Sequence, residues 1–68
     1  MRDRIYELVF YSRDGQVDSE QDYTDRETAL EALRFFDEPD SAELYSRIAL
    51  REYNWQTRTE TELEALAF

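Results

Sequence analysis

The chain has 68 residues, with 17 Asp and Glu against eight Arg and a net charge of −9 at pH 7. This length allows one small domain, spanning residues 1–68, with a thin core. An acidic surface argues against direct binding of nucleic acid or anionic membranes, because both need a basic footprint, and it suits a basic partner. Apolar residues make up 41% of the chain, which argues against intrinsic disorder.

Several classes of chemistry lack the residues they need. The sequence contains no cysteine, histidine or lysine, so it lacks disulfides, the commonest general base and the commonest metal ligand. A single glycine rules out a glycine-rich phosphate loop. We therefore expect no enzyme activity and no cofactor. No apolar run approaches the ~20 residues of a membrane span, and the charged N-terminus is unlike a signal peptide, so a soluble cytoplasmic protein is expected.

Residues 4–12, "RIYELVFYS", alternate in polarity and predict a first strand. Asp14-Gly15 is typical of a two-residue hairpin turn, after which residues 16–23 return as a second strand. The expected cross-strand pairs are Tyr6–Tyr23, Leu8–Gln21, Phe10–Ser19 and Ser12–Val17 on one face, and Glu7–Asp22, Val9–Glu20 and Tyr11–Asp18 on the other.

Residues 25–37 predict a helix, because their apolar side chains recur at helical spacing. Thr24 and Glu27 match a capping box at its start. Pro39 and the polar residues around it end the helix. A single helical turn at 40–44 is an alternative beginning for the segment that follows.

Residues 43–53 and 56–66 alternate again and predict two more strands. A turn at Asn54-Trp55 would pair Arg47 with Glu62, but it would also place Arg51 opposite Arg58, which is unfavourable. The competing interpretation of the last segment is a short helix, because Thr61 and Glu64 also match a capping box.

These elements predict an α+β fold with the order β-β-α-β-β. One helix packs on one face of an antiparallel sheet whose strands lie in the order 2-1-3-4. Phe35 is expected at the edge of the core, and Trp55 and Phe68 are expected to close one end of it. The alternative for Trp55 is an exposed position, as for Tyr11, Tyr45 and Tyr53, from which an aromatic side chain can anchor a partner. The residues expected on the helix-covered face are Tyr6, Leu8, Phe10, Val17, Tyr23, Leu44, Ile48 and Leu50.

The other face would carry two rows of acids with tyrosines among them. Neighbouring acids along a strand lie ~6.5–7 Å apart, so each row can imitate a nucleic-acid strand toward a basic cleft. The alternative is an ordinary solvated sheet face. The candidate partner-binding residues are Glu7, Tyr11, Asp18, Glu20, Asp22, Glu60, Glu62 and Glu64.

A calcium site in "DGQVDSEQD" is not expected, and no other metal site is predicted. A calcium loop needs turns that bring its oxygen ligands together. Here Gly15 directly follows the first acid, Asp14, and the later acids belong to a strand that spreads them apart.

The stretches "VDSEQDY" and "TETELEAL" and the helix "ETALEALRFF" give the chain a resemblance to small acidic phage-encoded anti-CRISPR proteins that mimic DNA. The resemblance covers size, charge and element order, and no family motif defines site residues. It implies a stoichiometric inhibitor, a monomer or weak dimer, that blocks the DNA-binding site of a CRISPR surveillance complex in the bacterial host cytoplasm. The alternatives are an acidic interaction module, antitoxin-like or a regulatory adaptor, and a halophilic small domain.

Overall fold

The computed structural model describes residues 3–68, which form one four-stranded antiparallel sheet and two helices. The strands lie in the order β2-β1-β3-β4. The expected α+β class is confirmed, but the β-β-α-β-β order is not exact, because a four-residue helix, α2, precedes β3. The elements are β1 (Arg4–Ser12), β2 (Val17–Tyr23), α1 (Arg26–Phe35), α2 (Ser41–Leu44), β3 (Tyr45–Asn54) and β4 (Thr59–Ala67).

The core lies between α1 and one side of the sheet, here named the helix face; the opposite side is named the open face. The buried side chains of the core are Leu8, Phe10, Ala29, Leu33, Ile48 and Leu50. Phe10 packs edge-on against Phe36, with ring centroids 5.0 Å apart, and lies 5.2 Å from the Tyr45 ring. Each large apolar side chain buried in this way contributes about 1.5–3 kcal/mol. The molecule measures 38 × 22 × 15 Å, so its thin dimension holds one helix layer and one sheet.

Several residues expected in or near this core are exposed. Val17 is 54% exposed, Leu44 64%, Phe35 75%, Trp55 59% and Phe68 39%. Leu44 ends α2 instead of entering β3, and Val17 pairs with Tyr11 of the open face. The expectation that Trp55 and Phe68 close the core is wrong.

Helix α1 begins one residue later than the predicted capping box implies. Asp25 is the N-cap, and its carboxylate accepts hydrogen bonds from the Thr28 backbone N–H at 3.0 Å and the Thr28 hydroxyl at 2.9 Å. The predicted box of Thr24 and Glu27 is therefore wrong. An aspartate in this position satisfies one of the free N–H groups of the first turn and stabilises it electrostatically.

The first hairpin keeps the predicted register over most of its length but turns differently. The Ser12 N–H donates to the Gln16 carbonyl at 2.8 Å, and the Gly15 N–H donates to the Ser12 carbonyl at 2.9 Å. The turn thus holds three residues rather than two. Gly15 has φ 88°, a conformation that glycine adopts without strain. The confirmed pairs are Tyr6–Tyr23, Glu7–Asp22, Leu8–Gln21, Val9–Glu20 and Phe10–Ser19.

A β-bulge in β2 compensates for the extra turn residue. The register shifts between Phe10 and Tyr11, so that Val17 and Asp18 together lie opposite Tyr11. The predicted pairs Tyr11–Asp18 and Ser12–Val17 are therefore wrong. Beyond the bulge the pairing returns to the expected register.

The second hairpin does not have the predicted register. Its loop holds four residues, 55–58, because Asn54 pairs with Thr59. The Asn54 side-chain carbonyl accepts hydrogen bonds from the N–H groups of Gln56 at 2.9 Å and Thr57 at 3.3 Å. Arg58 closes the loop in a left-handed conformation with φ 55°.

Because the loop is longer than predicted, the pairs between β3 and β4 differ from the predicted ones. Arg51 lies opposite Glu62, not opposite Arg58, and Arg47 lies opposite Ala67, not opposite Glu62. A second bulge shifts the register between Leu50 and Arg51, so that Leu50 pairs with Glu64. The last segment is a strand, and the alternative of a short helix there is not formed.

Candidate protein-binding surface

Cross-strand pairing sorts the open-face side chains into rows. Acids lie on both outer strands and, as Glu7, on β1, and two arginines lie on β3. From the β3–β4 loop inward, the rows are Ile5, Tyr53 and Glu60; then Asp22, Glu7, Arg51 and Glu62; then Glu20, Val9, Ala49 and Ala65; then Tyr11, Arg47 and Ala67.

Asp18, Glu20 and Asp22 form what we name the β2 ladder. Glu20 and Asp22 are paired with open-face residues of β1, and the bulge keeps Asp18 on the same side. All three side chains are exposed. Within residues 3–68, none of these three acids forms a salt bridge. The β2 ladder therefore presents carboxylates that no arginine in this part of the chain neutralises.

The acids of β4 are arranged differently. The Arg51 Nε lies 3.1 Å from a Glu60 carboxylate oxygen, and the Arg47 guanidinium forms a closer ion pair with Glu62. Glu64 pairs with Leu50, a residue of the helix face. The predicted alignment of Glu64 with Glu60 and Glu62 is therefore wrong, and the two acids that remain on the open face are paired.

Arg47 lies across the middle of the open face. In the register it is two rows from Glu62, and the row between them holds the small residues Ala49 and Ala65, which leave room for the two long side chains to meet. The Arg47 guanidinium also lies 5.7 Å from the centre of the Tyr11 ring, a cation–π contact. The expected Arg47–Glu62 contact is present, but it is diagonal and not a direct cross-strand pair.

Glu7 is a half-buried acid surrounded by other acids. Burial raises the pKa of Glu7, and the negative charges of Asp22, Glu60 and Glu20 and a hydrogen bond with the Glu60 carboxyl raise it further. Arg51 lies opposite Glu7 in the register but approaches Glu60 instead, and its Nε is buried without an aligned hydrogen bond. Glu7 therefore takes up a proton more readily than an ordinary glutamate.

A shallow open pocket of about 310 Å³ lies at the loop end of the open face. The rings of Tyr53 and Trp55 stand edge to face, with centroids 5.2 Å apart and planes at 89°. The Trp55 backbone N–H donates to the Asp3 backbone carbonyl at 2.7 Å, which ties the loop to the residue before β1. The pocket is lined by Ile5, Glu7, Asp22, Tyr53 and Trp55.

The sequence alone does not predict this pocket. The available signal is the alternate spacing of Ile5 with Glu7 and of Tyr53 with Trp55. This signal does not indicate a pocket when Trp55 is expected in a two-residue turn at the end of the core. The participation of Asp22 needs the pairing of β1 with both β2 and β3, which no local pattern shows.

Within residues 3–68, no three acidic side chains are arranged to hold a metal ion. Neither helix of this part of the chain has the length and apolar character to cross a membrane. No protein-family model matches the sequence, and comparison with curated proteins and with solved structures gave no match.

Proposed function

We propose that the chain is a stoichiometric inhibitor that sets its β2 ladder against the basic nucleic-acid-binding surface of a partner protein. The observation that carries this proposal is the exposure of Asp18, Glu20 and Asp22 on one edge of the open face, with no salt bridge to a described arginine. Charges left unpaired at a surface steer a partner of opposite charge and raise its association rate.

The spacing of the ladder sets the size of the complementary surface. Alternate residues of a strand lie ~6.5–7 Å apart, so the three acids extend over ~13–14 Å. One strand of B-DNA carries about one phosphate per 3.4 Å of helix axis. The ladder thus offers about half the linear charge of a DNA strand, and Glu7, paired with Asp22, adds a fourth acid beside it.

The resemblance to DNA-mimicking anti-CRISPR proteins makes a CRISPR surveillance complex the first target to test. Purified complexes would be incubated with labelled target duplex and with the protein at increasing molar ratio. We expect loss of duplex binding near one protein per complex. Duplex binding that continues at a large excess of the protein, across complexes of different types, would contradict this choice of target.

Salt dependence tests the wider proposal of an electrostatic contact. The association rate with the partner should fall steeply between about 50 mM and about 500 mM NaCl, because exposed charges are screened over ~10 Å at 0.1 M salt and ~3 Å at 1 M. An association rate unchanged over this range would contradict a contact made by carboxylates.

A second candidate function, an adaptor with a hydrophobic contact, has its own observation. Phe35 is 75% exposed and Leu44 64% exposed, and aromatic side chains are typical anchors of protein contacts. This candidate predicts salt-insensitive binding that is lost on Phe35→Ser and kept when the β2 ladder is neutralised.

A further inference from the structure

The pocket beside the β2 ladder has two chemically different walls. Tyr53 and Trp55 supply an edge-to-face pair of rings, and Trp55 is 59% exposed. Glu7 and Asp22 are directly paired on β1 and β2 in the adjoining row. Ile5 supplies the remaining apolar lining.

This combination of walls selects the charge of an occupant. An apolar group would cover two carboxylates without giving them a hydrogen bond, which is unfavourable. An anion would be repelled. A cation is attracted both by the aromatic faces and by the carboxylates. A planar guanidinium suits both walls at once, because it stacks on a ring while donating paired hydrogen bonds to a carboxylate.

We propose that the pocket formed by Ile5, Glu7, Asp22, Tyr53 and Trp55 receives the guanidinium group of an arginine side chain of the partner protein. Among the arginines in residues 3–68, none lines the pocket, and Arg51 is directed to Glu60. The inference rests on the proposed function, since it names the residue by which a basic surface engages this end of the open face.

The experiment uses the single tryptophan of the chain as the reporter. The ¹⁵N-labelled full chain is titrated with N-acetyl-L-arginine methylamide at constant ionic strength, and the indole N–H signal of Trp55 is followed by NMR. We expect a saturable shift with a Kd of about 1–10 mM, the weak affinity of a single side chain. The corresponding citrulline compound has nearly the same shape without the charge, and it should give no saturable shift.

Matched variants distinguish binding of the probe in the pocket from a general effect of negative charge. Asp22→Asn removes a pocket carboxylate, while Asp18→Asn makes the same charge change on the same strand outside the pocket. Asp22→Asn should weaken arginine-probe binding at least about fivefold, and Asp18→Asn less than about twofold. Tyr53→Leu, which keeps an apolar strand residue and removes the ring, should also weaken it at least about fivefold.

Three results would each overturn the proposal: no saturable shift with the arginine probe, equal shifts with both probes, or equal effects of Asp22→Asn and Asp18→Asn. The titration needs no partner protein, so its failure leaves the proposed function standing. If instead the probe binds but neutralising the whole β2 ladder leaves inhibition intact, the proposed function fails and the guanidinium site remains.

Discussion

Strands β2 and β4 form the two edges of the sheet, and each carries three acids at alternate positions. Each strand also contains a β-bulge. On β2 the bulge keeps Asp18 on the open face beside Glu20 and Asp22. On β4 the bulge places Glu64 opposite Leu50 on the helix face. The other two acids of β4, Glu60 and Glu62, form ion pairs with the arginines of β3.

The difference shows that an alternating row of acids does not by itself produce an unpaired row of charges. What matters is the strand next to it. β2 lies beside β1, whose open-face residues are acidic, apolar or aromatic, whereas β4 lies beside β3, which supplies Arg47 and Arg51. The same alternation of acids therefore gives an unpaired charged edge on β2 and a set of ion pairs on β4.

Neutralising the β2 ladder should have the largest effect. The triple change Asp18→Asn, Glu20→Gln, Asp22→Asn keeps shape and removes three charges. Partner binding should weaken at least about tenfold, equivalent to about 1.4 kcal/mol, while the free energy of unfolding changes by less than about 0.5 kcal/mol for each exposed site. Circular dichroism and urea unfolding check the fold before binding is measured. A folded triple variant that inhibits like the parent would reduce the β2 ladder to a solvated sheet face.

Gly15→Ala should destabilise the hairpin that carries the β2 ladder by about 1 kcal/mol, because an alanine in the left-handed region is strained. Among residues 3–68, apart from Gly15 and its two chain neighbours, no heavy atom lies within 4 Å of the added Cβ, so the loss comes from the backbone. Urea unfolding measures it. Gly15→Asn should lose less, since asparagine tolerates this conformation better. Equal stability of Gly15→Ala and the parent would mean that the turn does not need a positive φ.

The second hairpin offers the reverse experiment at Arg58. Arg58→Gly and Arg58→Ala remove the same charge, but only glycine adopts φ 55° without strain. Arg58→Gly should therefore be more stable than Arg58→Ala by about 0.5–1 kcal/mol in thermal or urea unfolding. If Arg58→Ala is the more stable of the two, the loop does not close through a left-handed residue at this position.

Neutralising β4 should produce the opposite balance from neutralising β2. Glu60→Gln, Glu62→Gln and Glu64→Gln together should weaken binding less than about threefold, equivalent to about 0.6 kcal/mol. The same change should lower the free energy of unfolding by about 0.5–1 kcal/mol, because it removes the partners of Arg47 and Arg51 from partly exposed ion pairs. Equal losses of binding in the β2 and β4 triple variants would remove the distinction between the two strands.

Glu7→Gln should give the smallest effect, and its sign depends on pH. The folded-state pKa of Glu7 is raised above its ordinary value of 4.5, so the folded chain binds a proton more readily than the unfolded chain. Stability linked to Glu7 is therefore present below pH 4.5 and is lost as pH rises through the folded-state pKa. Glu7→Gln should be more stable than the parent at pH 7, and the gain should disappear below about pH 4.

Urea unfolding at the two pH values checks this prediction. Glu31→Gln, which makes the same charge change on an exposed position of α1, is the control. A gain for Glu7→Gln that is the same at both pH values, or no larger than the gain for Glu31→Gln, would contradict a perturbed Glu7.

Local patterns in the sequence were enough to predict the four strands, the main helix and the strand order. They also placed the pairs from Tyr6–Tyr23 to Phe10–Ser19 correctly, because Asp14-Gly15 fixes where the chain reverses and the bulge in β2 cancels the extra turn residue. The second hairpin lacked such a signal. Its loop depends on hydrogen bonds to the Asn54 side chain and on the left-handed conformation of Arg58. Neither residue type is by itself a signal for a four-residue hairpin loop.

The proposed binding surface could be predicted only where it follows one strand. The alternation of Asp18, Glu20 and Asp22 is visible in the sequence, and the structure brings these residues together. The half-burial of Glu7 and the placement of Asp22 and Tyr53 around one pocket depend instead on contacts between strands distant in sequence. Those contacts are set by register, and a shift of one residue moves every side chain to the other face.

The bulges on both edges also restrict how another chain can attach. A regular sheet edge offers a row of backbone N–H and C=O groups to which an added strand can bind, and bulges and charged side chains both hinder such strand addition. Extension of this sheet by a partner is therefore disfavoured at β2 and at β4. Under the proposed function, a partner would therefore approach the open face broadside and be recognised through side chains, so that single side-chain changes could alter the choice of partner while the backbone stays the same.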